Sequence, residues 1–167
     1  MKELCKHTFK SRLELSMTRN EITVKQLSQK TQISDCILYS ALSGKSMPNP
    51  ENVYKLACSL GTSSDRLLGL CTVAYLPETR PREIFRKDLV AERFWETRKC
   101  LKMQLDEFGC LVGIDVSTVS AIESGEFTPR TQTLFQTALA TGISTDYFIG
   151  LIDTKISHSK KHPRKSA

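Results

Sequence analysis

Apolar positions along the chain fall in short bursts, and no segment sustains an alternation of apolar and polar residues. That pattern predicts short helices and no sheet. The bursts also fall twice. Sliding the sequence against itself by 81 residues pairs Leu13 with Phe94, Val24 with Leu105, Leu27 with Phe108 and Leu38 with Val119. Further along it pairs Val53 with Leu134, Tyr54 with Phe135, Leu67 with Phe148 and Leu68 with Ile149. Between residues 9–70 and 90–151 no gap is needed, and eleven of 62 positions are identical. The identities include the residues that start and stop helices: Gly44/Gly125, Pro48/Pro129, Gly61/Gly142, Asp65/Asp146 and Gly69/Gly150. A repeat punctuated at its helix boundaries predicts two copies of one unit.

Each copy divides into five helices. The first runs through residues 9–17 and 90–99. The second begins near Thr23, where Thr23 and Gln26 have the spacing of a capping box. The third begins at Ser34 or Asp115, both good N-caps, and stops at Gly44 or Gly125. The fourth follows a proline, with Asn49 and Pro50 suited to N-cap and N1 in the first copy. It ends at Gly61 or Gly142. The fifth begins at Ser63 or Ser144, places Asp65 or Asp146 in its positive first turn, and closes at Gly69 or Gly150. The expected organisation is therefore a first domain over residues 1–70, a linker over 71–88 broken by Pro77 and Pro81, a second domain over 89–151, and a tail over 152–167. The tail is basic and lacks apolar periodicity, so it is expected to be disordered.

Composition narrows the class. The chain has 167 residues, 40% hydrophobic and 25% charged, as a globular protein does. No apolar run approaches the roughly 18 residues of a membrane span. The N-terminal residues lack the apolar core of a signal peptide, which makes a cytoplasmic location the expectation. Six cysteines contain no C-x-x-C pair, and His7 is the only histidine outside the tail. Reduced, mostly structural thiols follow, with no metal and no cofactor. Without a histidine in the helical units or a glycine-rich phosphate loop, an enzyme is not expected. The formal charge of +6 is uneven: residues 1–70 hold ten Lys and Arg against six Asp and Glu, while residues 89–151 hold five against eight. A basic chain favours a polyanionic partner.

The second copy, through "LDEFGCLVGIDVSTVSAIESGEFTPRTQTLFQTALATGISTDYFIGL", resembles the lambda-repressor-like, Cro-type (XRE) helix-turn-helix family. The resemblance is carried by Gly109, the turn glycine Gly113, Ile114, Val119, Ile122, Glu123 and Gly125, then the proline and the Gly-x-Ser-x-Asp closing turn. The first copy is similar through Ser28, Leu38 and "PNPENVYKLACSLGTSSDRLLG", with Gln32 in place of the turn glycine and Ala41-Leu42 in place of Ile-Glu. The likeness spans about 125 of 167 residues. It implies an all-α fold of two tandem five-helix lambda-repressor-like domains. In such a pair the helices cross steeply at a tight turn, which requires a small residue at Ser28 and Gly109. The second helix of the pair then offers its first turns to the DNA major groove.

Carried over residue by residue, the resemblance implies a DNA-facing set. In the first copy these are Asp35, Cys36, Ile37, Tyr39 and Ser40. In the second they are Val116, Ser117, Thr118, Ser120 and Ala121. Lys25, Lys30, Lys45 and Asn49, with Gln104, Ser124 and Arg130, are the expected backbone contacts. Set against this, Ile37, Tyr39 and Leu42 also read as packing residues, and Cys36 as a buried, inert thiol rather than a redox-sensitive one. Phe9, Phe94 and Trp95 read as core and interface hydrophobes. The functional expectation is a sequence-specific double-stranded DNA-binding transcriptional repressor, its two domains on half-sites about 34 Å apart, or its chains paired as a homodimer. Neither third helix carries Arg, Asn or Gln, the bidentate base readers. That gives an alternative: a protein-interaction module on a degenerate scaffold, binding a protein partner as an antirepressor, antitoxin or phage inhibitor does.

Overall fold

The computed structural model describes residues 5–71 and 84–155. The tail from residue 156, most of the linker, and the expectations attached to both lie outside those residues. The described residues form ten helices: α1 (Lys6–Arg19), α2 (Val24–Thr31), α3 (Asp35–Leu42), α4 (Pro50–Leu60), α5 (Ser64–Leu68), α6 (Lys87–Cys100), α7 (Leu105–Val112), α8 (Val116–Glu123), α9 (Thr131–Thr141) and α10 (Thr145–Phe148). Among them there is no strand. Helices α6 to α9 start and stop 81 residues after α1 to α4, and α10 starts 81 residues after α5. The first helix of each run is longer than its apolar segment suggests, because polar residues extend α1 back to Lys6 and α6 back to Lys87.

Capping follows the residues. The Thr23 amide donates to Gln26 Oε1 at 2.8 Å, and the Gln26 amide returns to Thr23 Oγ1 at 3.3 Å. Asn49 Oδ1 accepts from the Asn52 amide at 2.8 Å, with Pro50 opening α4. Ser34 precedes α3 but makes no side-chain cap, whereas Asp115 caps α8.

The cores of the two runs are built on matched positions. Leu13, Leu27 and Leu67 are fully buried in the first, and Phe94, Phe108 and Phe148 in the second. The Phe94 ring lies 6.3 Å from Phe108 and 5.2 Å from Phe148, both tilted rather than stacked. Phe9 is core as expected, but Trp95 is 47% exposed, so it serves neither core nor interior packing. Arg12 and Arg93, identical in the two copies, tie the first helix of each run to the end of its last. Arg93 is buried and donates to the carbonyls of Tyr147 and of Ile152 (2.7 Å) and to Asp153 (2.6 Å). Arg12 reaches the Cys71 carbonyl, 81 residues before Ile152, at 3.5 Å.

All six cysteines are free. Cys58 and Cys71 are half-buried; burial pushes the Cys58 thiol up to about 11 and raises that of Cys71. Cys5, Cys36, Cys100 and Cys110 are exposed, so the structural-thiol expectation fails for most of the set. No helix among the described residues is long and apolar enough to cross a membrane, and no group of His, Cys, Asp and Glu there is arranged to hold a metal ion.

The two runs meet through α4 against α9 and α5 against α10. Asp65 and Asp146, expected to serve the dipoles of their own helices, are both 2% exposed and reach across this junction. Asp65 accepts from the Thr145 amide (2.8 Å), from Ser144 Oγ (2.5 Å) and from Thr145 Oγ1. Asp146 accepts from the Ser64 amide (2.6 Å) and Ser64 Oγ (2.5 Å).

Candidate nucleic-acid interface

The angle between α7 and α8 is set at two residues. Gly113 ends α7 in the left-handed region at φ +77°, and Gly109 has backbone against its face. A Cβ at Gly109 would lie 2.7 Å from the Ile114 carbonyl oxygen. The α2–α3 pair solves the same junction differently. Ser28 Oγ donates to the Ile33 carbonyl at 2.7 Å, the carbonyl 81 residues before that of Ile114. Gln32 adopts φ +58°, left-handed for a residue with a Cβ. That conformation costs a non-glycine residue about 1–2 kcal/mol. Gln32→Gly should therefore stabilise the chain by about 0.5–1 kcal/mol, net of the added freedom of the unfolded state. A lowered urea midpoint would contradict this.

On α8, Val119 and Ile122 are buried and anchor the helix. Its outward face carries Val116 (44% exposed), Ser117 and Ser120, with Thr118 and Ala121 half-buried beside them. The Asp115 carboxylate organises the first turn. It accepts from Ser117 Oγ (2.5 Å), Thr118 Oγ1 (2.7 Å) and the Thr118 amide (2.8 Å). Those bonds, Ser117's first, hold its carboxyl well below the usual carboxylate range. Ser124 is exposed and donates to the Ala121 carbonyl at 3.1 Å. Gln104 is exposed at the start of α7, where its amide donates to Glu107. Arg130 is exposed at the start of α9.

On α3, Leu38 and Ala41 are buried, while Asp35 and Cys36 are exposed and Ser40 is half-buried. Ile37 and Tyr39 are 39% and 61% exposed, so the packing reading of these two is corrected. An apolar type does not put a side chain inside when its helix position points outward. Cys36 is likewise exposed, not buried. Leu42 does pack against the core. Lys25 and Lys45 are exposed. Lys30 is also exposed, and its Nζ donates to the Ser59 carbonyl at 2.8 Å.

Three features escaped the sequence reading. Phe127, 42% exposed, joins Ser117, Thr118, Ala121 and Glu126 around a shallow pocket beside α8. Asn49 and Arg130, equivalent positions in the two copies, line one groove of about 310 Å³ together with Phe127 and Lys87. Finally, Arg98 on α6 and Glu123 on α8 form a bidentate pair at 2.7 and 2.6 Å, with side chains 7% and 8% exposed. The positions 81 residues earlier hold Met17 and Leu42. The paired exchange of an ion pair for two apolar residues was a visible signal of that contact.

The helix-turn-helix family profile matches residues 96–148. No curated protein and no solved structure matches the chain.

Proposed function

Because residues 96–148 are a helix-turn-helix domain of the lambda-repressor-like kind, we propose that the protein is a sequence-specific double-stranded DNA-binding regulator that represses by occupying its site. We further read residues 1–70 and 89–151 as tandem domains of that kind. The observation that carries the reading is the exposed first turn of α8, held by buried Val119 and Ile122 at an angle fixed by Gly109. Val116 suits a thymine methyl, Ser117 and Thr118, whose hydroxyl hydrogens go to Asp115, suit the amino groups on base edges, and Ser120 suits base edges or phosphates. Cations come mainly from the first copy, where Lys25 and Lys45 are exposed, with Arg130 added by the second. Phosphate contacts of this kind supply most non-specific affinity.

Titrating fluorescent duplex at increasing salt tests the reading. Affinity should fall steeply with salt, and Lys45→Ala should lower the slope of log K against log salt by about 1. Salt-independent binding, or none at low salt, would overturn it. Asp115→Asn keeps an oxygen for the Thr118 amide and removes a negative charge beside the proposed phosphate path. It should tighten duplex binding, with a gain that shrinks as salt rises. Weaker binding at every salt concentration would count against α8 as the DNA-facing helix.

A further inference from the structure

The contacts that join the two five-helix runs are reciprocal. Asp65 accepts from Ser144 and Thr145, and Asp146, 81 residues on, accepts from Ser64, the residue 81 before Thr145. Ser64 Oγ and Thr145 Oγ1 meet each other at 2.7 Å, where the two copies cross. Each aspartate thus binds the first backbone amide of the opposite short helix. When residue i contacts j and the equivalent of j contacts the equivalent of i, the interface is isologous, as in a two-fold dimer. Here both partners lie in one chain. Ser63, Ser64, Asp65, Ser144, Thr145 and Asp146 are all at most 2% exposed, so this face is closed.

The connectors that follow α3 and α8 come together at the same junction. Thr131 Oγ1 donates to the Pro48 carbonyl at 2.5 Å, and the groove holding Asn49 and Arg130 runs between them. Both proposed DNA-facing helices therefore feed into the pseudo-axis from equivalent positions. Yet none of the five equivalent outward residues is the same in the two: Asp35 against Val116, Cys36 against Ser117, Ile37 against Thr118, Tyr39 against Ser120, Ser40 against Ala121.

We infer that a single chain is a complete pseudo-dimer and binds, as a monomer, a duplex whose two half-sites differ in sequence. The inference rests on the DNA-binding reading for its ligand, but not for its assembly. A symmetric homodimer through α5 or α10 would need a face that the chain already uses on itself. A non-palindromic site follows because unlike residues occupy like places.

Two experiments separate assembly from ligand. For assembly, the full chain is given a protease site between residues 76 and 77, cut, and sedimented. The two pieces should travel as one particle with the 18.8 kDa mass of the intact chain. Separation of the pieces, or twice that mass before cutting, overturns the pseudo-dimer whatever the chain binds. For the ligand, the intact chain selects from a random-sequence duplex library. The enriched motif should hold two unlike half-sites at one fixed spacing, bound by one chain per duplex. Replacing either half by an inverted copy of the other should weaken binding roughly tenfold or more, since one mismatched base pair already costs about that much. A palindromic motif, a single half-site or two chains per duplex overturns the inference. No enriched motif, with the cut chain still one particle, overturns the DNA reading and with it the unlike half-sites, and leaves the pseudo-dimer standing.

Discussion

Replacing Glu123 by Leu alone should cost about 3–5 kcal/mol of folding stability, because it leaves the Arg98 guanidinium buried without its carboxylate. Arg98 is 7% exposed and would keep only its bond to the Met103 carbonyl. Adding Arg98→Met to the same chain should return most of the loss. The first copy already runs on that solution, with Met17 and Leu42 at the equivalent positions. Removing both charges of a buried pair is often neutral or stabilising, since neither ion is then desolvated. Urea denaturation of wild type, Glu123→Leu and Arg98→Met/Glu123→Leu measures this. If the double variant is as unstable as the single, packing rather than the unpaired charge explains the loss.

Gly109→Val should cost about 2–3 kcal/mol, the usual penalty for forcing extra atoms into a packed contact. The added Cβ would start 2.7 Å from a backbone oxygen, and backbone cannot swing aside as a long side chain does. The variant should also lose duplex binding beyond what its stability explains, because relief of the clash opens the α7–α8 angle. Gly109→Ser is the informative control. Ser28 shows that a hydroxyl can bridge this junction when the backbone is spaced for it, so serine should do less harm than valine. Equal stability of the valine variant and wild type would show that the junction has slack.

The fold was largely legible, since its determinants are local. Thr23 with Gln26, Asn49 with Pro50, and the glycines at 61 and 142 act within a few residues, and the 81-residue register repeated the glycine stops. The site was legible only in outline. The outward places on α3 and α8 followed from the resemblance, but Lys30 could not be seen to reach for Ser59, nor Tyr39 to stand clear of the core. Those outcomes depend on what lies opposite in space. Asp65 and Asp146 make the same point. Each lies in the first turn of its own helix as expected, but its carboxylate also binds the opposite helix, and nothing within one copy announces a partner in the other. Two Ser/Thr-rich turns at identical offset, polar where a domain would otherwise finish on apolar residues, were the available hint.

Asp115 gives the first turn of α8 a direction of hydrogen traffic. The hydroxyl hydrogens of Ser117 and Thr118 are already committed to its carboxylate, so the two oxygens turn only lone pairs outward. Hydroxyls are ordinarily indifferent, giving or taking as the neighbour requires. These two are polarised into takers. Against a duplex they would favour the exocyclic amino groups of adenine and cytosine and find nothing to accept from in the N7 and O6 edge of guanine. A carboxylate that never touches a base would then act as a filter on which bases are tolerated.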